Sequence, residues 1–368
     1  MNKRIISKIV IICLIIIFFY LSLTGCFLFL IPKDSLSKQN KDSQDTSIQK
    51  NQNDSHSEII TKYEPIDISK LKEIDEYAKM VPSSFEKDIE TLAKYLVKTS
   101  KNELEKARAI WIWITNNISY DVDGYFSGSI STYDAQTAFK KRLGVCSGYA
   151  SLFKQMADIV NLKSEVITGY AKGYSYNPSI KELPNSNHAW IAINIQNKWY
   201  LCDPTWGSGY VDYKRKFIKD YEEFYFCANP AQLIYTHFPS DIKWQLLENP
   251  LDSSTFLNLL HVWPLFFKLD LKPVSHPFAR IETNTNSLNI IFSTSYDNIR
   301  ILAAIYYKDT RKEAVKPTYN KLKEGNFYKW SININFPLKG EYYIYIFGGK
   351  ESNTTFSAVA QYFVEITK

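Results

Sequence analysis

The stretch from Asn187 to Gly207, NHAWIAINIQNKWYLCDPTWG, constrains the chain more than any other segment. Ala189, Ile191, Ile193 and Ile195 alternate with His188, Trp190, Ala192 and Asn194, a period-two pattern that predicts a strand. Lys198 to Asp203 reads as a second strand, with Gln196-Asn197 as a two-residue hairpin loop. That loop length fixes the register: Ile195 faces Lys198 and Trp190 faces Asp203. His188 lies two residues from Trp190, so it shares a sheet face with Asp203 and sits diagonally across from it, within reach of a hydrogen bond. The same register turns Cys202 to the opposite face beside Ile191, as a packing residue.

Upstream, Gly144-Val-Cys-Ser-Gly-Tyr-Ala150 opens an amphipathic pattern in which Tyr149, Leu152, Phe153, Met156 and Val160 form one stripe. Cys146 then falls in the first turn of a helix, where unsatisfied amides and the partial positive charge favour a thiolate. Taken alone, Cys146 reads as a buried structural thiol. With His188 and Asp203 added, a chemical division of labour becomes available. Asp203 would orient the imidazole, His188 would hold and return a proton, and Cys146 would attack an acyl carbon to give a thioester. The backbone amide of Cys146 is a natural first oxyanion donor, and the sequence does not identify the second. Gln136 is a candidate for it, against an equally simple surface role.

Cysteine usage is compatible with this reading. Of the five cysteines, Cys13 lies in an apolar leader, Cys26 in a short motif within it, and only Cys146, Cys202 and Cys227 belong to the body. An odd number in an exported chain argues against a disulfide framework, and no CxxC pair suggests a zinc ribbon. At 45% hydrophobic and 15% aromatic over 368 residues, the chain has material for a core and length for about two domains. A net charge of +6, with no dense basic stripe, points away from nucleic acid as a partner.

The N-terminus reads as an address. Lys3, Arg4 and Lys8 precede an apolar run from Ile9 to Ile31, inside which Leu23-Thr24-Gly25-Cys26 resembles the lipobox of bacterial lipoproteins. Cys26 is the expected lipidation site. Because the apolar run continues past it, an uncleaved single span stays open beside the lipid anchor, as does plain secretion. With either anchor, the rest of the chain is expected on the extracytoplasmic side of the cell membrane. Residues 32–57 are Ser, Lys, Gln, Asn and Asp with almost nothing apolar, which suits a flexible tether.

Asn102-Glu-Leu-Glu105 has the form of a capping box, and Ala107, Ile110, Trp111, Ile114 and Ile118 follow at helical spacing, predicting a helix with one buried face. Together, GVCSGYA, NHAW and WYLCDPTWG resemble the transglutaminase-like superfamily, a papain-related Cys-His-Asp fold, over about Tyr63 to Trp244. Asn117-Ile-Ser-Tyr-Asp121 resembles that family's upstream segment. Tyr225-Phe226-Cys227, Thr236-His-Phe-Pro239 and Lys243-Trp-Gln-Leu246 are most similar to its kyphoscoliosis peptidase branch. The resemblance implies an α+β core with a central helix packed on an antiparallel sheet, and catalysis by Cys146, His188 and Asp203. It implies a protein or peptide substrate at the cell surface, with hydrolysis ahead of transamidation. The alternative is a non-catalytic surface scaffold that keeps the fold. No cofactor and no metal are expected, since neither zinc-binding cysteine pairs nor a compact acidic calcium loop is present.

Trp190, Trp206 and Tyr210 either line a substrate cleft or pack the sheet edge. His237 and His261 have no carboxylate in any inferable register, and read as structural. After Asn249 the pattern changes. Residues 249–278 read as a connection, and 289–292, 301–307, 330–336, 342–347 and 358–366 as short strands. With two weaker strands left unplaced, they predict an immunoglobulin-like β-sandwich over 279–368, without a disulfide. The expected order is therefore 1–31 signal peptide or anchor, 32–57 linker, 58–248 transglutaminase-like domain, 249–278 connection and 279–368 sandwich. Oligomeric state is not legible.

Overall fold

The computed structural model describes residues 59, 61–128, 134–308 and 313–367. The expected leader, Cys26 and the polar tether lie outside them. No helix among the described residues is long and apolar enough to cross a membrane. Two compact units divide the chain, Ile60–His261 and Val262–Lys368.

In the first unit, helix α1 spans Glu103–Asn117. Asn102 caps it, its side-chain oxygen accepting from the Glu105 amide at 2.9 Å. Glu105 reaches back to the amide of Lys101 at 2.7 Å, one residue earlier than a capping box requires. The expectation of a single buried face is overturned. Every residue from Ala107 to Thr115 is buried. Helices Lys72–Lys79 and Ile89–Leu96, the cysteine-bearing helix and a short turn after Asp203 surround α1, so no face is left for water. Arg108 tolerates this because Asp75 takes its guanidinium at 2.6 and 2.7 Å and Glu223 takes it from the other side.

A two-residue strand, β1 (Ser119–Tyr120), leaves α1 and pairs in parallel with β2 (Leu143–Gly144). Helix α2 follows at once, Cys146–Ile159, burying Tyr149, Leu152, Phe153 and Met156 as the stripe predicted. It packs on an antiparallel sheet made of β3 (Ser164–Ala171), β4 (His188–Ile195), β5 (Lys198–Cys202) and β6 (His237–Pro239), in the order β5-β4-β3-β6. Ile195 lies opposite Lys198 and Ile191 opposite Cys202, the register that a Gln196-Asn197 loop demands. Both loop residues have positive φ, 50° and 63°, which matches the right-handed twist of the flanking strands.

The second unit holds two sheets. One orders Lys272–Pro273, Ser287–Thr294, Phe327–Asn335 and Thr318–Glu324; the other orders Arg280–Thr283, Ser357–Ile366, Gly340–Lys350, Ile299–Tyr307 and Glu313–Val315. Their inner faces meet through Ile290, Phe292, Ile332, Ile344 and Tyr362, all fully buried, with the Phe292 and Tyr362 rings 6.3 Å apart. This is an immunoglobulin-like sandwich. The five predicted strands are present with longer ends. Four more accompany them, and Thr318–Glu324 shows why such strands escaped the pattern: it is an edge strand exposed on both sides, so nothing imposes alternation.

Candidate active site

Cys146 is the first residue of α2, and the Val145 carbonyl before it accepts from the amides of Gly148 and Tyr149 at 2.8 and 3.2 Å. The amides of Cys146 and Ser147, at the very start of the helix, are left without intrahelical acceptors, and the Cys146 sulfur is half-buried. His188 opens β4, and its Nε2 meets Asp203 Oδ2 at 2.8 Å. With Nε2 engaged, Nδ1 is the ring nitrogen left for the Cys146 thiol, and the thiol and the imidazole are close enough to shift each other's protonation. The three residues singled out by sequence reasoning thus meet in one site, His188 hydrogen-bonded to Asp203 and electrostatically coupled to Cys146.

Asp203 sits just past β5 with no exposed surface, and caps the short helix α3, Pro204–Gly207. Its Oδ1 accepts from the amides of Thr205 and Trp206 at 2.9 and 3.2 Å. Its Oδ2 accepts from two imidazoles, since His237 Nε2 lies 3.0 Å away. Here the sequence reading is corrected. His237 does have a carboxylate, and β6 brings it there by pairing with β3, where Ala171 faces His237. Because Thr236 Oγ1 lies 2.9 Å from His237 Nδ1, a hydroxyl donation there leaves Nε2 carrying the proton toward Asp203.

The electrostatics follow from this geometry. Burial alone would suppress the charged form of each group. For His188 the negative charge and hydrogen bond of Asp203, then the contact with Cys146, more than offset burial and lift its pKa from 6.5 to about 10. For Cys146, burial pushes the thiol up, and the hydrogen bond and charge of His188 pull it below its ordinary value. Asp203 is held well below the usual carboxylate range, with His188 and then His237 outweighing burial. Burial keeps His237 lowered, hence neutral near pH 7. Both shifts run toward a thiolate–imidazolium pair on a buried carboxylate.

His188, Asp203 and His237 also form the one cluster among the described residues whose ligand atoms lie close enough to suggest a metal, all within 4.8 Å of one another. The geometry argues for a relay instead. Both ring nitrogens lie at hydrogen-bonding distance from the same carboxylate oxygen, whereas ligands of a shared ion lie about 2 Å from a common point between them.

The aromatic residues divide. Trp190 is 1% exposed and its ring lies against that of His188, centroids 6.0 Å apart and nearly parallel, where it packs on the imidazole. Trp206 is half-buried, its ring 5.6 Å from that of His188 and 4.5 Å from that of His237. Tyr210 lies half-buried on strand Gly209–Val211. Gln136 is exposed on helix Ala135–Lys141, consistent with a surface role. Cys202 and Cys227 are both free and buried, with their sulfurs 4.0 Å apart.

Comparison with known proteins names the class that this fold and site define. Residues 90–204 match the transglutaminase-like superfamily and residues 253–368 the KY-like, immunoglobulin-like domain, so the chain carries a transglutaminase-like core followed by an immunoglobulin-like domain. Among individual relatives it is similar to kyphoscoliosis peptidase from Mus musculus, 33% identical over 198 residues, covering 54% of this chain and 30% of the relative. The Homo sapiens protein of that name is 33% identical over 53% of this chain and 30% of its own. Hillarin from Drosophila melanogaster is 27% identical over 55% and 26%. The matched region thus spans about a third or less of these relatives' lengths. A solved structure of red sea bream transglutaminase aligns over 81% of this chain and 58% of its own, at 6% identity and a TM-score of 0.26, too weak to carry an argument.

Proposed function

We propose that this protein is a cysteine-nucleophile enzyme acting on amide bonds of a protein or peptide, hydrolysis ahead of transamidation. The observation that carries the reading is the convergence of Cys146, His188 and the buried Asp203 carboxylate, with His188 hydrogen-bonded to Asp203 and electrostatically coupled to the thiol. The Cys146 thiolate attacks the carbonyl carbon, and the carbonyl electron pair moves to oxygen. As the oxyanion collapses, the C–N bond breaks and the amine leaves with the proton held by His188, giving a thioester. His188 then takes a proton from water, or from an acceptor amine, which attacks and releases Cys146. Relatives named as peptidases support water as the usual acceptor. Cys26 or the apolar run around it anchors the protein to the outer face of the cell membrane, where such a substrate is met.

The test is iodoacetamide labelling of the full chain in detergent, with peptide mass mapping, from about pH 5 to about pH 9. Cys146 is expected to label well below the ordinary thiol pKa of about 8.5, and to lose that low-pH reactivity in His188→Ala. Labelling that rises only near an ordinary thiol pKa in both proteins removes the enzymatic reading and leaves the scaffold.

A further inference from the structure

Cys202 and Cys227 take no part in the acyl chemistry of Cys146, and both are buried thiols. They lie 25 positions apart in sequence with their sulfurs 4.0 Å apart. The backbone sets them opposite each other. On one side of the pair the Ala228 amide donates to the Leu201 carbonyl at 2.8 Å, and on the other the Asp203 amide donates to the Tyr225 carbonyl at 2.9 Å. Bonds between the same chain segments therefore bracket the two cysteines. The Cys227 amide points at the Cys202 sulfur, 3.2 Å away, and the Tyr63 hydroxyl donates to the Cys227 carbonyl at 2.8 Å.

Two features set this contact apart from plain packing. Cys227 has a φ of 49°, a left-handed conformation that a residue with a side chain seldom takes. Such strain persists where the surroundings over-determine it, and here the Tyr63 and Leu201 hydrogen bonds fix the backbone on both sides of the Cys227–Ala228 peptide. The second feature is distance. A disulfide has its sulfurs about 2 Å apart, so about 2 Å remains to be closed, and a cysteine sulfur swings further than that between staggered rotamers.

We infer that Cys202 and Cys227 are an oxidation site that closes to an intramolecular disulfide, with hydrogen peroxide, small enough to enter a buried site, as the oxidant. The Cys202 sulfur attacks one peroxide oxygen, the O–O bond breaks and water leaves, giving a sulfenic acid. The Cys227 sulfur then attacks the Cys202 sulfur, the S–O bond breaks, and a second water leaves with the Cys227 proton. Two thiols and one peroxide become one disulfide and two waters, the peroxide taking both electrons. Cys202 attacks first because it has an amide donor to steady the charge it takes on. The bond closes the loop that carries Asp203, Trp206 and Glu223, and so ties the end of β5 to the segment that holds Arg108. The three cysteines of the body then divide into a cross-linked pair and the single thiol of Cys146. None of this depends on Cys146 being a nucleophile.

The full chain in detergent is reduced, exposed to hydrogen peroxide, blocked with iodoacetamide in urea and digested without reductant, and its peptides are mapped by mass. The expected product is a species that joins the Cys202 peptide to the Cys227 peptide, lighter than their sum by two hydrogen atoms and abolished by dithiothreitol. Thermal melts are run beside it on Cys146→Ser, so that oxidation of that sulfur does not enter them. Closing a loop of this length should raise the unfolding temperature of the peroxide-treated chain by about 5–10 °C over the reduced one, and dithiothreitol should reverse the rise. A further Cys227→Ala exchange should remove both the linked species and the rise. Recovery of Cys202 and Cys227 as alkylated thiols or as separate sulfinic acids overturns the inference. So does a link from either of them to Cys146, or a linked chain that melts no higher than the reduced one.

Discussion

Asp203→Asn is the substitution whose consequences are set most tightly by the geometry. The carboxylate receives four donors, from Thr205, Trp206, His188 and His237, and offers none. An amide in its place keeps one oxygen for the helix cap and turns an NH₂ toward two imidazole N–H groups. His188 must then present a bare Nε2 and carry its proton on Nδ1, toward Cys146, where a base is needed. The charge that lifts His188 to about 10 is lost, and without an imidazolium the Cys146 thiol returns to an ordinary value. At about pH 6 a thiol of pKa about 8.5 is roughly 0.3% thiolate, a loss of about 300-fold against a fully ionised group. The less acidic thiolate is intrinsically more nucleophilic, and a Brønsted slope of about 0.5 recovers half of that loss on a logarithmic scale. Alkylation of Cys146 should therefore slow about 20-fold at about pH 6, match the native protein near about pH 7.5 and exceed it by about pH 9. A rate at about pH 6 within twofold of native would refute the claim that Asp203 sets the charge state of the pair.

Other expectations concern stability. His188 has its pKa raised in the folded state, so the stability it contributes is complete below 6.5 and is lost as pH rises through about 10. The buried Lys172, whose Nζ caps the Phe256 and Leu259 carbonyls at 2.8 and 2.9 Å, is lowered by burial and acts in the opposite sense. Thermal melts of native and Asp203→Asn chains test the pair: because the lowered Cys146 acts in the opposite sense up to the ordinary thiol pKa of about 8.5, their difference should shrink between about pH 8.5 and about pH 10, and a constant difference there would contradict the assignment. Arg108→Ala removes the cation that Asp75 and Glu223 share. Breaking a buried pair costs about 3–5 kcal/mol, and since the carboxylates are 18% and 31% exposed the lower end, about 3 kcal/mol, is expected in urea unfolding. A loss under about 1 kcal/mol would mean that solvent already serves them. Gly207→Ala sets a methyl group against the buried Trp111 indole at the end of α3 and should cost about 1–3 kcal/mol as overpacking, checked by the same unfolding curves.

The hairpin was legible because period-two alternation and a two-residue loop leave a single register, and that register alone carries His188 to Asp203. The nucleophile's helix was legible because its stripe repeats every three or four residues. Three features were not. The all-round burial of α1 depends on neighbours 30 residues before it and 100 after it, and its apolar spacing fits a half-buried helix equally well. Trp190 reads as a cleft residue or a packing residue with equal ease until its burial is known. His237 offered a signal only as part of Thr236-His-Phe-Pro239, with no carboxylate near it in sequence.

The sequence by itself determined which residues alternate, which helix carries the thiol and that His188 lies beside Asp203, because these are short-range consequences of strand and helix periodicity. Tertiary structure decided the rest. It closed α2 onto the sheet beside the strand that carries His188, and folded β6 back along β3 to add His237 to Asp203. Each of these contacts joins segments separated by tens of residues. Their meeting is set by how buried surfaces pack and by which buried polar groups must find partners, and no local pattern encodes either.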